Sequence, residues 1–356
     1  MKQIELKKYR PSGSKHCFVQ RAGYLVGKLS VKYGRPVGLK IFDDVAIESA
    51  EDIYIAKWGD DPLLETDPRL NTTIWEATQI QNIAAFHGLA PRVYGLETCY
   101  LYGAYHPMQV IEVLDGPVPT IEEAEAVYDA VAALGEKYHF GVEKRDVSMV
   151  DVIDGKLIDF QTFAFTKDYR DTVRELYCED GKYGKVYYQE VPEIGLTGGP
   201  RKSELRIKEL GLDQIDYSKK TVWDIGGAGG YFTRYALERG AKRVVGFDME
   251  GPVSASRHMA NYLGYFNADY EVVDLMNPSA LNHLPPPDIA FFLSLNFHVP
   301  IPEILQHVPM VVFEDNGKET RHLENPGKPW TDWFKTIEHR GACSDHGAKS
   351  IYWCRK

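Results

Sequence analysis

Cysteine and long apolar runs are the first things that this sequence lacks. Its 356 residues contain only five cysteines, odd in number and scattered, which argues for reduced thiols and excludes a disulfide scaffold or a zinc module. No apolar run approaches the roughly 18 residues of a membrane-spanning helix. The first residues, MKQIELKKYRPSGSK, lack the apolar core of a signal peptide, so secretion is not expected. These absences predict a cytoplasmic protein without a membrane span.

Positive charge is also scarce. The chain has 41 lysines and arginines against 51 acidic residues, which gives a formal net charge of −10 at pH 7. A negative surface repels phosphate backbones, and no stretch interleaves aromatic with basic residues, so a nucleic-acid partner is not expected. The sequence has no internal repeat and no low-complexity tract. Its 44% hydrophobic and 26% charged residues are ordinary for a globular chain of about two domains.

Up to about residue 165, the patterns predict short strands and two longer helices. Four strands are expected in the first part of the chain, in CFVQRAG, YLVGKLSV, PVGLKIF and DIYIAKW, and two more in RVYGLETCYLYG and MQVIEVL. A helix capped by Asn71 or Thr72 is expected, and a second one follows the N-cap Thr120. Asp154 and Gly155 predict a tight hairpin within DVIDGKLIDF.

A change of composition separates this part from the rest of the chain. The stretch 166–199 is polar and rich in tyrosine and glycine, so we expect it to link a domain at 1–165 to a domain at 200–356. In the second domain strand and helix patterns alternate, beginning with TVWDIGG, YFTRYALERG and RVVGFDM and ending with the strand SIYWCRK. That alternation predicts an α/β fold, with a parallel-type sheet and helices on both faces.

A glycine-rich turn follows the first strand of the second domain. In VWDIGGAGGYF, at 222–232, glycines allow the backbone to turn tightly and to approach a ligand, and the amides of the following helix face that ligand. A dinucleotide motif, G-x-G-x-x-G from Gly227, would need a third glycine at Phe232. Asp248 and Asp274 end the next two strands, RVVGFD and YEVVD. An acid at the tip of the second strand is suited to bind the hydroxyls of a ribose.

The spacing D-x-G-x-x-x-G from Asp224 resembles motif I of the class I S-adenosylmethionine-dependent methyltransferases. The resemblance extends over about residues 195–356 and implies a Rossmann-like methyltransferase domain with S-adenosylmethionine as cofactor. It implies that Asp224 and Gly226 lie beside the amino-acid part of the cofactor, and that Gly230 permits its close approach. The same loop contains Gly227 and Ala228, and the family usually has glycine at the position of Ala228.

The same resemblance implies roles for the acids at the ends of the later strands. Asp248 is implied to bind the ribose, and Asp274 is implied to lie near the adenine. Methyl transfer itself is an in-line displacement, which needs an aligned nucleophile more than a strong acid. His298, Glu314 and Asp315 follow the next strands, and the carboxyl ends of strands line the crevice where ligands bind in open sheets. Each of the three could be a base or a structural residue, and His298 is the catalytic candidate.

A second pattern lies before the change of composition. Asp146 is followed by a second acid, Asp151, then by a hairpin and by an apolar strand that ends in Asp159 and Phe160. This order resembles the catalytic and metal-binding loops of the protein-kinase-like superfamily, most closely those of small-molecule kinases of the aminoglycoside-phosphotransferase type. The resemblance implies that Asp146 is the catalytic base and that Asp151 and Asp159 hold Mg²⁺ against the phosphates of ATP. Asp151 stands where the family usually has asparagine, and a carboxylate also suits magnesium.

Upstream segments agree with that resemblance in their order. Glu76 lies in a helix like the one that carries the ion-pair glutamate of these kinases, and the backbone from Glu112 to Leu114 would meet the adenine of ATP. Two lysines could contact the phosphates. Lys57 has the familiar separation from Glu76, whereas the sequence around Lys40 is closer to V-A-I-K. The sequence has no G-x-G-x-x-G loop and little room for a full carboxyl-terminal lobe, so a reduced α+β kinase-like domain is expected.

The two patterns together indicate a bifunctional transferase. The first domain would phosphorylate a hydroxyl of a small molecule or glycan, and the second would methylate the product. This pairing resembles the dual kinase–methyltransferases that cap bacterial O-antigen chains. Arg201, Lys202 and Arg206 could bind a phosphate on the acceptor. The alternative is a methyltransferase whose kinase-like domain only binds substrate, while the net charge of −10 disfavours a nucleic-acid methyltransferase. The sequence does not indicate the oligomeric state.

Overall fold

The chain divides into two units, Met1–Thr172 and Val173–Lys356. The structure is a computed structural model and describes residues 16–19, 23–42, 54–55, 68–101, 104–117, 119–142, 151–160, 163–179, 190–197, 201–296, 298–315, 330–344 and 349–356. Within these ranges, none of the helices combines the length and the apolar composition that crossing a membrane requires.

An antiparallel sheet forms the centre of the first unit. Its strands are β1 (His16–Val19), β2 (Gly38–Phe42), β3 (Tyr54–Ile55), β4 (Val93–Leu101) and β5 (Ala104–Ile111). Among the described residues the strand order is β1-β2-β5-β4-β3, and each neighbouring pair is antiparallel. Leu39, Val93 and Val110 are fully buried, so the aliphatic residues of β2, β4 and β5 supply the core of this sheet.

Helix α1 (Gly23–Tyr33) occupies the segment YLVGKLSV, for which the sequence pattern predicts a strand. That prediction is wrong, because the burial of the side chains follows a helical spacing. Leu29 and Tyr33 are buried and lie four residues apart, on one face of a helix. In a strand Val31 would share their face, yet it is 72% exposed.

Helix α2 (Pro68–Phe86) joins the sheet through buried polar side chains as well as apolar ones. It begins before the predicted cap, with a proline at its first residue, where the missing amide hydrogen costs little. Gln81 Nε2 donates to Pro91 O at 2.9 Å, and Val93 N donates to Asn82 Oδ1 at 2.8 Å. These bonds fix the passage from α2 into β4. The apolar face of the helix consists of Ile74, Ala77, Ile80, Ile83 and Ala84.

Helix α3 (Ile121–Tyr138) begins as the sequence predicts. Thr120 Oγ1 accepts from Glu123 N at 3.2 Å, and Glu123 Oε2 accepts from Thr120 N at 2.8 Å, which is a complete capping box. After the helix the chain forms β6 (Phe140–Val142), which pairs in antiparallel register with β9 (Phe163–Phe165).

The predicted hairpin is confirmed between these two strands. β7 (Val152–Ile153) pairs with β8 (Lys156–Leu157) in antiparallel register. The two residues between them, Asp154 and Gly155, have φ angles of 54° and 67°. Aspartate and glycine are among the residues that tolerate two successive left-handed conformations, and this is the reason that the sequence pattern is predictive here.

The second unit is built on a mostly parallel sheet. Its strands are β10 (Thr221–Ile225), β11 (Arg243–Asp248), β12 (Ala268–Val272), β13 (Ile289–Leu293), β14 (Met310–Asp315), β15 (Thr336–Cys343) and β16 (Lys349–Arg355). Within the described residues the order is β12-β11-β10-β13-β14-β16-β15. The pairs from β12 to β14 are parallel, and β16 is antiparallel to both of its neighbours. The predicted parallel-type sheet is thus confirmed.

Both faces of this sheet are buried, because successive strand residues enter different cores. Val222 and Phe291 belong to one core, and Trp223 and Phe292 belong to the other. The first face is covered by helices of the second unit and the second face by a 3₁₀ helix at Glu303–His307. The other helices within the described residues are α4 (Tyr169–Glu179), which contains the boundary between the units, α5 (Ser203–Glu209), α6 (Tyr231–Glu238) and α7 (Glu250–Tyr262). Short 3₁₀ turns lie at Pro192–Ile194, Leu212–Gln214 and Trp330–Trp333.

The order of the strands creates one topological switch point. From β10 the chain continues outward to β11 and β12, and it then returns to the other side of β10 to form β13 and β14. The loops that leave the carboxyl ends of β10 and β13 therefore diverge. In open α/β sheets this divergence opens the crevice that binds ligands.

Candidate functional site

A glycine loop leaves β10 at the switch point. Gly226 and Gly230 have φ angles of 74° and 69°, a region that favours glycine. A Cβ at Gly226 would lie 2.2 Å from Leu295 Cδ1, and a Cβ at Gly230 would lie 2.5 Å from Tyr270 Oη. Both positions therefore need glycine for the turn and for the close packing around it. Gly230 is also the residue from which α6 begins, so the free amides at the start of that helix belong to this loop.

The loop is connected to the end of β11 by backbone amides. Ala228 N donates to Asp248 Oδ2 at 3.0 Å, and Met249 N donates to Asp248 Oδ1 at 2.8 Å. Ala228 itself has a φ angle of 36°, which is left-handed for a residue with a Cβ. The structure thus brings together two residues that the sequence predicts for one site, and it orients the Asp248 carboxylate at the carboxyl edge of the sheet.

Asp224 supplies a buried carboxylate beneath the same loop. It is 2% exposed, and its Oδ2 accepts from Thr233 Oγ1 at 2.9 Å. The predicted loop residue Gly227 lies against it, since a Cβ there would be 2.5 Å from Asp224 Oδ2. Burial, together with the negative charge of Asp248, raises the pKa of Asp224 to about 6, although the Thr233 hydrogen bond and Arg206 oppose the rise. Because burial disfavours the ionised form of Asp224, a cationic ligand beside it would stabilise the carboxylate.

Three exposed apolar side chains flank the acids at the ends of β11 and β12, and sequence reasoning missed them. Met249, Val272 and Met276 are 54%, 53% and 55% exposed. Asp274 is exposed as well, and its Oδ1 accepts from Met276 N at 3.0 Å. Because β11 and β12 are parallel neighbours, these side chains occupy one edge of the sheet. The sequence signal that could have found them is an apolar residue within two positions of Asp248 and of Asp274.

The loop after β13 faces the glycine loop across the switch point. Its Leu295 packs near Gly226, and His298 N donates to Leu295 O at 2.7 Å. The side chain of His298 is exposed, as a group that meets a substrate must be. Asn296 is buried and its Nδ2 donates to Asp315 Oδ1 at 2.6 Å, which ties the loop to the end of β14.

Glu314 is an internal ion-pair partner and does not face the crevice. It is fully buried, and its Oε2 lies 2.7 Å from Arg206 Nη2 and 3.6 Å from Arg201 Nη1. Burial alone would raise the pKa of Glu314, but Arg206, hydrogen bonds and Arg201 outweigh it and hold the pKa below its usual range. Ser294 Oγ donates to the same carboxylate and accepts from Lys349 Nζ at 3.0 Å.

This cluster corrects two expectations from the sequence. Arg201 and Arg206 are 1% and 3% exposed, so the cations expected to bind a phosphate are instead internal partners of Glu314, and only Lys202 is exposed. Glu314 is equally unsuited to be a base, because a substrate cannot reach it. The physical reason is that a charged group at a strand end can turn either to the crevice or to a partner from another element, and the sequence does not distinguish the two.

In the first unit, Lys40 lies beside the predicted metal-binding acid. Its Nζ donates to Ile158 O at 2.7 Å and is 3.9 Å from Asp159 Oδ1. Lys40 is 1% exposed, and burial lowers its pKa while the charges of Asp159 and Asp151 oppose that shift. Asp151 Oδ2 accepts from Tyr128 Oη at 3.5 Å. The structure therefore gathers Lys40, Asp151 and Asp159, whereas Asp146 and Lys57 lie outside the described residues.

The other kinase-like candidates occupy structural contacts near this group. Glu76 Oε1 accepts from Phe165 N at 2.6 Å, which joins α2 to β9. Glu112 Oε1 pairs with Lys156 Nζ at 2.7 Å, just after β5 ends. Leu114 is buried with Val93, Ile111 and Ile158 in a small core. The segment that the sequence predicts to meet adenine is thus held in place by its side chains, and the amide of Glu112 also donates to Arg92 O at 2.8 Å.

Comparison with known proteins agrees with the fold of the second unit. Residues 207–295 match the model of the FtsJ-like methyltransferase family. This range extends from α5 to the loop after β13 and contains the whole glycine loop. No curated protein matches the sequence. Together with the strand order, the match confirms the predicted Rossmann-like methyltransferase fold. A kinase-like fold of the first unit stays a prediction.

The solved structures that are similar to the chain are distant. The bifunctional kinase–methyltransferase WbdD is 19% identical with a TM-score of 0.38, over 51% of this chain and 46% of that one. An S-adenosylmethionine-dependent methyltransferase from Mesorhizobium loti is 24% identical over 31% of this chain and 53% of that chain, with a TM-score of 0.25. The N-terminal domain of EvdMO1, solved with SAH and D-fucose, is 13% identical over 53% and 97%, with a TM-score of 0.39. The chain spans less than half of the length of the WbdD structures.

Proposed function

We propose that the second unit is an S-adenosylmethionine-dependent methyltransferase with its cofactor site at the glycine loop. The observation that carries this proposal is the buried Asp224 carboxylate under a loop of left-handed glycines that closes on Asp248. When bound, S-adenosylmethionine supplies a methyl group on a positively charged sulfur. The family match over residues 207–295 supports the same assignment.

The residues of the site suit each part of that cofactor. The raised pKa of Asp224 leaves a carboxylate that is stabilised by the ammonium group of the methionine part. The Ala228 and Met249 amides orient the Asp248 carboxylate, which can accept hydrogen bonds from a ribose diol. Exposed Met249 and Met276 offer apolar surfaces for the adenine ring, with Asp274 beside them.

The acceptor enters between the glycine loop and the loop after β13 in this proposal. In-line transfer depends mainly on the alignment of the nucleophile, which the two loops would provide. His298 is the exposed titratable group of the second loop, and we assign it the role of taking a proton from the acceptor. The net charge of −10 favours a small molecule or a glycan over a polyanion as the acceptor.

A substitution in the glycine loop tests the cofactor site. We expect Gly230→Ala to weaken S-adenosylmethionine binding about tenfold, because its Cβ would displace Tyr270 and strain the start of α6. Isothermal titration measures the dissociation constant. The matched control is Gly240→Ala, which has the same left-handed conformation with φ of 88° after the end of α6 and open space around its Cβ.

The control separates strain from site geometry. Both variants carry a similar conformational cost, but only Gly230 belongs to the loop. Equal affinity of both variants for the cofactor would contradict the assignment of the loop as its binding site. Absence of binding by the folded parent chain would contradict the methyltransferase proposal as a whole.

We propose a second, phosphoryl-transfer function for the first unit. It rests on the contact of Lys40 with Asp159 and on the neighbouring Asp151, which carry the charges that ATP and Mg²⁺ require. ATP supplies the phosphoryl group when bound. Lys40 would hold its phosphates, Asp151 and Asp159 would hold the metal, and Asp146 would orient the acceptor hydroxyl. The chain is then a bifunctional transferase, and the alternative is a kinase-like module that binds substrate only.

Substitution of Asp159 tests that function. We expect Asp159→Asn to weaken binding of ATP with magnesium about tenfold or more, because it removes the charge that binds the metal and faces Lys40. Titration with and without magnesium measures the effect. Asp154→Asn is the matched control, since Asp154 is exposed and asparagine tolerates its left-handed backbone. If the folded parent chain binds no ATP, the first unit is a binding module without phosphoryl transfer.

A further inference from the structure

A cavity of about 310 Å³ opens at the edge of the second unit's sheet that lies opposite to the glycine loop. It is found where β10, β13 and β14 begin and where β16 ends, whereas the glycine loop leaves the carboxyl end of β10. The five residues of β10 separate the two edges by roughly 17 Å. The cavity is therefore distinct from the proposed cofactor site, and its volume is large enough for one small ligand.

The floor of this cavity is apolar. Four side chains that belong to the first core of the sheet, or pack against it, line the cavity: Ile215, Ile289, Met310 and Trp353. The indole of Trp353 is fixed in orientation, because its Nε1 donates to Leu210 O at 2.9 Å. A ligand in the cavity would thus bury an apolar face on a surface that the core already holds in place.

Two carboxylates at the rim are held by backbone amides. Asp216 Oδ1 accepts from Ser218 N at 2.9 Å, and Asp288 Oδ2 accepts from Thr221 N at 2.8 Å. Hydrogen bonds from Ser218 hold the pKa of Asp216 below its ordinary value of 3.8, so this acid is ionised at neutral pH. A carboxylate can accept about four hydrogen bonds, and each of these two therefore retains capacity for a ligand.

Two cations lie beside these acids. Lys220 Nζ is 3.9 Å from Asp288 Oδ1, beyond hydrogen-bond distance, so this contact does not occupy the donors of the ammonium group. Arg355 Nη1 is 3.2 Å from Glu338 Oε2, and a guanidinium has about five N–H donors, so it can donate to a ligand as well. The rim carries two groups that only accept and two that only donate, and their formal charges cancel.

We propose that this cavity binds a neutral carbohydrate unit. Each hydroxyl of a sugar both donates and accepts, so neighbouring hydroxyls can bond an acid and a cation of the rim together, while a C–H face of the ring covers the apolar floor. An anionic ligand would meet Asp216 and Asp288, and a cationic ligand would meet Lys220 and Arg355. Neither kind of charge gains a net attraction from the rim, which favours the neutral sugar.

Saturation-transfer NMR of the full chain tests this site with three probes, the methyl glycosides of D-glucose, D-galactose and D-mannose. We expect at least one of them to bind with a dissociation constant on the order of 1 mM. Lys220→Met keeps the apolar stem but removes the donors, so it should weaken that binding about fivefold or more. The fold should tolerate this change, because the Lys220 side chain is 45% exposed and has only a long contact with Asp288.

The matched control is Lys242→Met. Lys242 is an exposed lysine that directly precedes β11 at the same edge of the sheet, and it is not part of the lining of the cavity. We expect this variant to bind the glycoside as the parent chain does. A glycoside that binds the parent and both variants equally lies outside the cavity, as it would in the crevice where the acceptor is proposed to enter, and this result overturns the proposal.

Charged analogues test the neutrality of the rim. The uronate and the 2-amino analogue of the sugar that binds place one charge on the same ring, provided that the amine is protonated at about pH 6. The parent chain should bind both more weakly than the neutral glycoside, and Lys220→Met, which leaves one acid without a compensating cation, should bind the amino sugar better than the parent does. A parent chain that prefers either charged analogue overturns the proposal.

The result is independent of the proposed methyltransferase function. Absence of saturation transfer to all three glycosides with a folded parent chain overturns the carbohydrate site, whatever the cofactor does. Titration with S-adenosylmethionine reports on the glycine loop, which shares none of the residues of the cavity. A chain that binds a glycoside in the cavity but no cofactor would support this inference and refute the proposed function.

Discussion

Replacing Glu314 with glutamine is expected to lower the free energy of unfolding by about 3–5 kcal/mol. The substitution keeps the shape of the side chain but removes the charge that lies 2.7 Å from Arg206 and 3.6 Å from Arg201. Both arginines are almost completely buried, so water cannot replace the lost partner. Urea unfolding of the full chain at pH 7.5, followed by tryptophan fluorescence, measures the change.

Glu338→Gln is the matched control for this prediction. Glu338 also pairs with two arginines, at 2.6 Å from Arg340 Nη1 and 3.2 Å from Arg355 Nη1, but its side chain is 39% exposed. Exposed pairs contribute little, because solvent screens them and can replace either partner. The prediction is wrong if both variants shift the urea midpoint equally, since burial of the arginines would then not decide the cost.

The effect of Glu314 also depends on pH in a defined direction. Its pKa lies below the ordinary value of 4.5, so the folded state favours the ionised carboxylate. Its stabilisation is therefore present above pH 4.5 and is lost as the pH falls through the folded pKa. The difference in stability between the parent chain and Glu314→Gln should narrow in acid.

Asp224→Asn is expected to stabilise the second unit while it weakens the cofactor site. The pKa of Asp224 is raised from 3.8 to about 6, so the folded state favours the neutral carboxyl. The stabilisation from that neutral form is complete below pH 3.8 and is lost as the pH rises through about 6. At pH 7.5 the ionised group therefore costs on the order of 3 kcal/mol, which asparagine avoids.

Binding should change in the opposite direction. Asparagine retains an oxygen that can accept from Thr233 but has no charge for the ammonium group of S-adenosylmethionine, so affinity should fall on the order of 100-fold. Urea unfolding and calorimetric titration across pH 5 to 8 measure both effects. Asp213→Asn, at an exposed acid before β10, should change neither. An Asp224→Asn variant that is less stable than the parent at pH 7.5 would show that the carboxylate stabilises the loop.

These two acids illustrate what sequence reasoning reached and what it missed. Asp224 was singled out by the D-x-G-x-x-x-G spacing, and Glu314 because the carboxyl ends of strands line the crevice of an open sheet. The strand-end rule agrees with the position of Asp248, whose carboxylate accepts from Ala228 N of the glycine loop. It does not hold for Glu314, because its arginine partner Arg206 is 108 residues away and no local pattern reveals it.

In the first unit as well, the features that depend on neighbouring residues were predicted, whereas those that depend on distant residues were not. The hairpin at Asp154 and the helix N-cap at Thr120 were predicted, since each depends on residues within three positions. The segment of α1 was predicted as a strand. Its few apolar residues fit the spacing of a strand as well as that of a helix, and only the burial of the side chains distinguishes the two. The choice between Lys40 and Lys57 was left open by spacing, and the contact of Lys40 with Asp159 carries the present proposal.

The sequence by itself determined the features that neighbouring residues control. The turn at Gly226 and Gly230, the alternation of strand and helix, and the acids at strand ends all follow from backbone limits and side-chain periods that act over a few residues. Only the tertiary structure decided which charges meet. Lys40 bonds Ile158 across 118 residues, Arg206 pairs with Glu314 across 108, and Arg234 is buried behind the loop, because burial and pairing depend on how distant segments pack.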